Sequence, residues 1–555
     1  MADNSALSVP ENVSTNTPDL LTGKRFTWHV AALLLIVILF GLVRWRLAAM
    51  PLERDEGEYA YAGQLMLEHI PPYKFAYNMK LPGTYAAYAV LMAIFGETDR
   101  GIHLGVLFVN AGTIVLVFLL GSRLFGRTGG VIAAATYGLL STHQQTLGLA
   151  GHATHFVTIA AISGLILLLR AIERDRASLF FWSGIFFGIA FLMKQPGIFF
   201  GAFGFIYLLF IYLRRPVVDW VSIVRYSGIF LGGCFIPFGL TCLWLWHAGV
   251  FPSFWFWTFS YARQYSSLIS LADGWDLFTY HFFPLFYAAP VLWSIAVVGL
   301  SAFVWNPASR KHAALIFGLL VFSFLGVSSG LYFRSHYFIM LLPAIALLTP
   351  CAVVSANDVL RAKAAKPWLL AIPLTVFVLG WGWAVGRNGK FYFRMTPIEA
   401  CHAVYINSPF IEAVPIAEYL QQHTSPTDRL AVLGSEPEIF FYAHRLSASG
   451  YIYVYALMEN QPYWERMQKQ MIQEIEANRP AYVIYSNHPA TWLTTMGSSR
   501  MAPFMNWATA YIKNNYEEVG LVELADPESR FTWGEQTRNM KAYTQFYLGI
   551  YKRKQ

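Results

Sequence analysis

Charge is scarce in this sequence. Only 13% of the 555 residues are charged, against about 25% in an ordinary soluble domain, whereas 56% are hydrophobic and 17% are aromatic. So little charge excludes a disordered chain, a coiled coil and an ordinary cytosolic enzyme. The composition predicts a protein that crosses a membrane many times.

Cysteine is also scarce, and the common nucleotide-binding motifs are missing. The four cysteines, Cys234, Cys242, Cys351 and Cys401, include no CxxC pair, and no two of them look poised for a disulfide. The sequence has no Walker-type loop and no Rossmann fingerprint. No internal repeat stands out either, which weakly disfavours the repeat-built transporter folds.

The net charge of +8 is unevenly distributed along the chain. Residues 387–555 hold 16 basic and 16 acidic side chains, while residues 1–386 hold 24 and 16 and carry the whole excess. The amino-terminal stretch also contains nearly all the long apolar runs. Because cytoplasmic loops of membrane proteins are enriched in Lys and Arg, we interpret the excess as an orientation signal and expect no nucleic-acid partner.

Eleven apolar runs predict membrane-spanning helices, since a helix needs about 20 apolar residues to cross a bilayer. They lie near residues 28–43, 103–121, 129–147, 153–170, 178–193, 197–213, 227–247, 284–304, 313–331, 336–355 and 367–386. Basic residues in alternate loops predict a cytoplasmic polar tail, 1–27, and a first outer loop, 44–102, on the far side. We expect a polytopic α-helical protein of the inner (plasma) membrane, with a membrane domain at 28–386 and a periplasmic or extracellular α/β domain at 387–555.

Local patterns predict several elements of this carboxy-terminal domain. Residues 429–434 and 481–485 are typical of strands, 462–478 of an amphipathic helix, and 547–552 of a final edge strand. The Gly434–Glu438 turn has acidic residues where a helix would start, which the helix dipole favours. Contact with an acceptor is the functional alternative for that turn.

Four carboxylates crowd into the first outer loop: Glu53, Asp55, Glu56 and Glu58. Charge beside a membrane is costly unless it is solvated, paired or used. A solvated turn followed by an amphipathic surface helix explains the cluster structurally. The functional alternative is a general base or a metal ligand that faces an active site.

Further ionisable side chains gather at the same predicted face. Taken singly, a Lys or Arg at a helix end usually snorkels to the interface, and a histidine in apolar surroundings is usually structural. Together with the carboxylates they suit a membrane-embedded substrate with a phosphate, because cations neutralise phosphate oxygens and a carboxylate can deprotonate a hydroxyl or bind a divalent cation. The set comprises Lys80, His152, His155, Lys194, Arg263, His281, Arg334 and His336.

Residues 254–261 form a run of aromatic side chains, FWFWTFSY. Aromatic residues favour the headgroup level of a membrane, so an ordinary interfacial belt explains the run. A groove for a lipid carrier or a platform that stacks against a sugar is the functional alternative.

Four short motifs, in order, carry a resemblance to a known family. They are Arg54–Tyr59, Lys80–Gly83, Gly188–Pro196, and Arg334–Phe338 followed by Leu341–Pro343. In sequence, order and spacing the chain resembles the bacterial branch of the protein O-mannosyltransferase superfamily, which includes the aminoarabinose transferases that act on lipid A. These are integral-membrane glycosyltransferases of the GT-C fold, and the resemblance spans most of residues 28–350.

The resemblance implies inverting transfer of a sugar from a polyprenyl-phosphate donor to an envelope lipid, glycan or protein, on the outer face of the membrane. It implies that Asp55 is the principal catalytic carboxylate and that Glu56 supports it or shares a cation. It assigns Lys80 to the phosphate or sugar, and Lys194, Arg334, His336 and Tyr337 to the same binding site. Further candidates are Glu58, Tyr59, His152, His155, Gln195 and Arg263.

One departure from the family pattern leaves the metal question open. Many relatives carry a second acidic residue after the third span, where this chain has Gly151–Phe156 with His155 in the acidic position. A two-carboxylate mechanism is therefore in doubt, and a divalent cation stays an open alternative.

Two other functions compete with glycosyl transfer. A transporter or flippase for a lipid-linked or anionic solute predicts ionisable residues near the bilayer midplane and broken helices. The sequence has few charges within its spans, which counts against that reading. A sensor or assembly scaffold, in which the polar rim is incidental, is the third hypothesis.

Overall fold

The computed structural model describes residues 28–406, 408–493, 499–525, 528–537 and 542–555; the predicted tail 1–27 lies outside them. The part that precedes the carboxy-terminal domain is helical throughout. Its helices are α1 Trp28–Arg46, α2 Arg54–Leu67, α3 Pro82–Phe95, α4 Asp99–Thr142, α5 Ala153–Arg174, α6 Ala177–Met193, α7 Ile198–Leu213, α8 Trp220–His247, α9 Phe251–Trp255, α10 Ala262–Ser266, α11 Leu271–Ala288, α12 Pro290–Trp305, α13 Pro307–Arg310, α14 Ala313–Ser328, α15 Leu342–Ala362 and α16 Ile372–Arg387.

Eight helices among the described residues are long and apolar enough to cross a membrane, and the pair α11–α12, bent by 102°, would be a ninth span. The 44-residue α4 contains two of the predicted spans, because it reverses at Gly126, whose φ is 75°. A Cβ on Gly121 would lie 2.9 Å from the Ala133 Cβ, so the two halves pack side by side. With the shorter apolar helix α6, each of the eleven predicted runs corresponds to a helical segment, and the polytopic fold is confirmed.

Two predicted spans differ from the observed helices in where they begin, and proline accounts for both. Pro290 begins α12, so the run predicted at 284–304 is divided between α11 and α12. Pro343 lies in the first turn of α15, which therefore starts at Leu342 instead of residue 336. Proline suits the first turn of a helix, where the backbone N–H has no partner within the helix.

The loop after α1 is folded against the rest of the molecule. Glu53 caps α2 in a capping box, in which its side chain accepts from the Glu56 N–H and the Glu56 side chain accepts from the Glu53 N–H. A Cβ on Gly57 would lie only 2.7 Å from the Glu438 backbone nitrogen, so α2 packs directly on the carboxy-terminal domain. Of the two alternatives for the carboxylate cluster, the solvated turn with a surface helix does not hold, because the carboxy-terminal domain covers α2.

The carboxy-terminal domain contains one mixed six-stranded sheet flanked by helices. The sheet order is β2-β1-β3-β6-β4-β5, with β1 parallel to β2 and β3 and all other pairs antiparallel. Its elements are α17 Gly389–Phe393, α18 Pro397–Val404, α19 Phe410–His423, β1 Arg429–Leu433, α20 Glu438–Ala443, β2 Leu446–Ser447, α21 Tyr455–Met458, α22 Trp464–Asn478, β3 Tyr482–Ser486, α23 Pro489–Trp492, α24 Met501–Asn515, β4 Tyr516–Glu523, β5 Arg530–Trp533 and β6 Tyr547–Arg553.

The predicted strands and helix of this domain are present as β1, β3, β6 and α22. The prediction that residues 547–552 form an edge strand is wrong, since β6 pairs with β3 on one side and β4 on the other. The position of β6 in the sheet depends on its partner strands β3 and β4, which lie in other segments of the chain. The local sequence pattern of residues 547–552 does not identify those partners.

Candidate active site

The site is a cleft between the helical part of the chain and the carboxy-terminal domain. Asp55, in the first turn of α2, lies at its centre. Its Oδ1 is 3.4 Å from Lys80 Nζ, and its Oδ2 is 4.0 Å from His336 Nε2. Tyr59, one turn further along α2, places its hydroxyl 3.3 Å from the same Lys80 nitrogen. The structure thus brings together the two motifs that the sequence placed 25 residues apart.

Backbone contacts on both sides of Lys80 hold its loop in place. The Tyr73 hydroxyl donates to the Lys80 carbonyl at 2.7 Å, and the Gln195 amide donates to the Met79 carbonyl at 2.6 Å. Gln195 follows Lys194 in the short 3-10 turn between α6 and α7. Gln195 therefore acts on the site through the loop that carries Lys80.

Asp55 is the carboxylate that faces the cations of the cleft. Burial by itself raises the pKa of Asp55. The charges of Lys80, His152, Arg334 and Lys194 lower it by a larger amount, so the pKa of Asp55 lies well below the usual range. The Asp55 side chain is therefore ionised at neutral pH. An ionised carboxylate beside an ammonium group can accept a proton or orient a hydroxyl.

Glu58 has the opposite electrostatic character, although it lies only three residues away. Burial raises its pKa to about 8, against the lowering effect of Lys80. Its oxygens accept hydrogen bonds from the Tyr85 hydroxyl at 2.6 Å and the Asn78 amide at 2.7 Å. Glu58 is thus a buried group with a raised pKa, and its two hydrogen bonds fix the wall of the cleft behind Asp55.

Glu56 is fully buried on another side of α2. Its Oε1 lies 2.9 Å from His103 Nε2 and accepts the Gly151 N–H at 2.5 Å, while its Oε2 takes part in the capping box. Both oxygens are occupied by groups of the protein, so this geometry suits holding α2 against α4 and the start of α5. Sequence reasoning did not single out His103, because its partner lies 47 residues away.

The cations predicted for phosphate binding lie around the cleft. Arg334 and Tyr337 line it together with Asp55 and Lys80. Lys194 Nζ lies 3.6 Å from the centroid of the Tyr337 ring, a cation–π contact. Three segments far apart in the sequence therefore supply positive charge to one place.

The remaining predicted residues are distributed differently. His155 is buried with Nε2 3.0 Å from the Gly148 carbonyl, which is a structural contact. Arg263 is exposed on α10 and does not line the cleft. His281 lies 3.2 Å from the Ser335 hydroxyl and supports the turn that carries Arg334 and His336.

Asp55, His152 and His336 are the described residues that could hold a metal ion, since one ligand atom of each lies within 4.8 Å of the others. The two imidazole rings are stacked, with centroids 3.8 Å apart and planes 11° apart. A metal shared by two histidines lies near the plane of each ring, along the nitrogen lone pair, which stacking does not permit. Lys80 and Arg334 also act on Asp55 with positive charge and repel a divalent ion, so the arrangement does not fit a resident metal.

The carboxy-terminal domain supplies the opposite wall of the cleft, which the sequence did not reveal. Tyr453, Tyr455 and Glu459 line this wall. From the aromatic run at 254–261, Trp257 and Tyr261 also line the cleft and are buried, whereas Trp255 is 46% exposed. The aromatic run is therefore divided between the protein surface and the site. The tyrosine-rich segment 451–455 is a sequence feature that could have indicated this wall. No local pattern, however, predicts that the segment lies near Asp55.

Arg54 joins the two halves of the site. Its guanidinium donates to the Ser435 carbonyl at 2.5 Å and to the Tyr455 hydroxyl at 2.7 Å, and lies 3.6 Å from Glu436. Glu436 is completely buried and also accepts from the Thr491 hydroxyl. The Gly434–Glu438 turn thus docks the carboxy-terminal domain on α2.

Comparison with known proteins supports the resemblance seen in the sequence. Residues 80–238 match the family described as dolichyl-phosphate-mannose-protein mannosyltransferase. The structure is similar to ArnT from Cupriavidus metallidurans bound to undecaprenyl phosphate, with a TM-score of 0.54 and 16% identity over 86% of this chain and 95% of that chain. ArnT in the apo state gives a TM-score of 0.54 and 14% identity over 94% and 97% of the two chains.

A second kind of enzyme has a similar structure. The oligosaccharyltransferase AglB from Archaeoglobus fulgidus, in complex with an inhibitory peptide and a dolichol-phosphate, gives a TM-score of 0.52 and 12% identity over 93% of this chain and 75% of that chain. No curated protein sequence matches the chain. The likenesses show a multi-span membrane protein with the GT-C fold, as the sequence predicted.

Proposed function

We propose that the protein is a glycosyltransferase that moves a sugar from a polyprenyl-phosphate carrier to a hydroxyl group of an envelope lipid, glycan or protein. The observation that carries this proposal is the ionised Asp55 beside Lys80 and Arg334, in a cleft where an apolar helical bundle meets a polar domain. The bundle suits the prenyl chain, the cations suit the phosphate, and the carboxylate suits the acceptor hydroxyl.

The reaction that this geometry suits is a single displacement with inversion at the anomeric carbon. The acceptor oxygen forms a bond to that carbon as the bond from the carbon to the phosphate oxygen breaks. The acceptor proton passes to Asp55, and the electron pair of the broken bond stays on the polyprenyl phosphate. Lys80 and Arg334, with Lys194, neutralise the charge that develops on the leaving phosphate.

Substrate binding resolves an apparent weakness of Asp55 as a base. Its pKa is low because nearby cations stabilise the carboxylate, and a base works best when its pKa lies near the working pH. A phosphate bound by Lys80 and Arg334 shares those positive charges and adds negative charge to the cleft. Both effects raise the pKa of Asp55 when the sugar carrier is bound.

The supporting residues act by position. We assign Glu56 to anchoring α2, Glu58 and Tyr59 to shaping the cleft around Asp55 and Lys80, and Gln195 to fixing the Lys80 loop.

The similar structures support the lipid carrier, since ArnT is bound to undecaprenyl phosphate and AglB to a dolichol-phosphate with a peptide. The positive-inside pattern supports a cleft on the outer face of the plasma membrane.

A comparison of the cell envelope with and without the gene tests the proposal. Mass spectrometry of glycolipids and glycoproteins should show a mass increment of one sugar that disappears on deletion and returns with the wild-type gene. A transporter would be indicated if the full-length protein moved the lipid-linked sugar across sealed vesicles with no covalent change to it. The bend between α11 and α12 is the feature that favours this alternative, because transporters contain broken helices.

A further inference from the structure

Glu459 is a second carboxylate residue that lines the cleft. It follows α21 in the carboxy-terminal domain and is only 9% exposed. Its Oε2 accepts a hydrogen bond from the Tyr261 hydroxyl. Its Oε1 is buried and has no hydrogen-bond partner among the described residues. A buried acceptor without a partner is destabilising, so a ligand that donates to Oε1 would be favoured.

The surroundings of Glu459 are typical of a site for a small polar ring. Tyr261 belongs to a single π-helical turn, Phe256–Tyr261, and such turns are rare and frequent at functional sites. Trp257, in the same turn, stacks on Tyr77 with centroids 5.8 Å apart, and both line the cleft. Binding sites for small molecules combine aromatic walls with a few well-placed polar groups.

The charge of the cleft discriminates between classes of sugar. Arg334 acts electrostatically on both Glu459 and Asp55, and Lys80 lies beside Asp55. An ammonium group bound at Glu459 would lie near the Arg334 guanidinium, which acts on that carboxyl and would repel the ammonium. Burial raises the pKa of Glu459 to about 7, so this group does not carry the full negative charge that would offset such an ammonium. A neutral hydroxyl meets neither obstacle and can donate to Oε1.

We propose that Glu459, held by Tyr261, binds a hydroxyl of the sugar being transferred and that this sugar is uncharged. The assignment rests on the proposed function and deepens it, since it names the class of sugar and a residue that selects it. Asp55 and Lys80 then act on the anomeric carbon and the phosphate, while the carboxy-terminal domain recognises the sugar ring.

Equilibrium binding to the full-length protein in nanodiscs tests the assignment. The probes are undecaprenyl phosphate and the same lipid bearing glucose, mannose or 4-amino-4-deoxyarabinose. We expect Glu459→Ala to weaken binding of the glucose- or mannose-bearing lipid about tenfold and to leave binding of undecaprenyl phosphate unchanged. Glu412→Ala is the matched control for Glu459→Ala, and Glu412→Gln for Glu459→Gln. Glu412 is also 9% exposed, accepts from Ser529 through one oxygen and is unpartnered at the other, but lies outside the cleft.

Glu459→Gln serves if the alanine variant does not fold, because it keeps the size of the side chain; it should weaken binding of the neutral sugar lipid about threefold. The assignment is overturned if a folded Glu459 variant weakens all lipids equally or none, or if the aminoarabinose lipid binds wild type more tightly than the neutral ones. Absence of any binding of undecaprenyl phosphate to wild type would overturn the proposed function itself, and the assignment with it.

Discussion

The two walls of the cleft differ in chemistry and in origin. The wall formed by the loop after α1 carries the Asp55–Lys80 ion pair. The wall formed by the carboxy-terminal domain is mainly aromatic and carries Tyr453, Tyr455 and Glu459. Fixed charge suits a phosphate and a reacting hydroxyl, which every lipid-linked sugar shares. Aromatic and hydroxyl groups suit the ring that distinguishes one sugar from another. Under the proposed function, the charged wall carries out the reaction and the aromatic wall selects the sugar.

Asp55→Asn removes the carboxylate that faces the cations of the cleft and keeps the shape of the side chain. We expect the rate of sugar transfer to fall by about 10³-fold, within the usual contribution of a general base. The thermal unfolding midpoint should stay close to that of wild type. Transfer is measured with purified protein and a radiolabelled lipid-linked sugar. Wild-type activity in a correctly folded variant would contradict the proposed function.

Arg54→Met removes the contacts by which α2 holds the carboxy-terminal domain. It leaves the buried Glu436 without its cation, and breaking a buried ion pair costs about 3–5 kcal/mol. We expect a clear fall in the thermal unfolding midpoint of the detergent-solubilised protein. The double variant Arg54→Met with Glu436→Gln should recover part of the loss, because the unpaired charge is gone. Equal stability of the single and double variants would show that this ion pair does not join the domains.

Lys80→Met acts on the phosphate and on Asp55 together. Loss of a charge-assisted hydrogen bond should weaken binding of undecaprenyl phosphate by roughly 10- to 100-fold. Removal of the neighbouring cation raises the pKa of Asp55, so the acid limb of the kcat/KM profile should move to higher pH. Lys74→Met, an exposed lysine of the same loop, is the control. An unmoved acid limb would show that Lys80 does not tune Asp55.

Glu56→Gln tests whether a second carboxylate of α2 takes part in the chemistry. Because Glu56 contacts only protein groups, we expect a loss of about 1–3 kcal/mol in the free energy of unfolding. The transfer rate of the folded protein should fall far less than in Asp55→Asn. A loss of activity as deep as that of Asp55→Asn, at unchanged stability, would instead make Glu56 catalytic.

Chelation should have the smallest effect. Cations around Asp55 disfavour a divalent ion, so we expect EDTA to change the transfer rate by less than about twofold. The assay uses protein that has been dialysed against the chelator. A loss that only one added divalent metal restores would show that the stacked histidines rearrange to bind it.

Much of the architecture could be predicted from local pattern alone. An apolar run long enough to span a membrane is removed from water whatever fold the rest of the chain adopts. All eleven runs accordingly appear as helical segments. The strands β1 and β3 and the helix α22 were predicted for the same reason, since period and turn residues are local. The pairing of β6 was not predicted, because its two partners lie far away in the sequence.

Within the site, the sequence by itself determined the type of chemistry: carboxylates and cations at one end of an apolar bundle. Only the tertiary structure decided which carboxylate faces the cations of the cleft. Asp55, Glu56 and Glu58 point in different directions from one helix turn, and their surroundings come from elsewhere: Lys80, His103 and Tyr85 respectively. Glu459 reaches the cleft from the far end of the chain, as does Tyr455, which contacts Arg54 across 401 positions. Electrostatic environment depends on distance in space, and the linear sequence does not contain that distance.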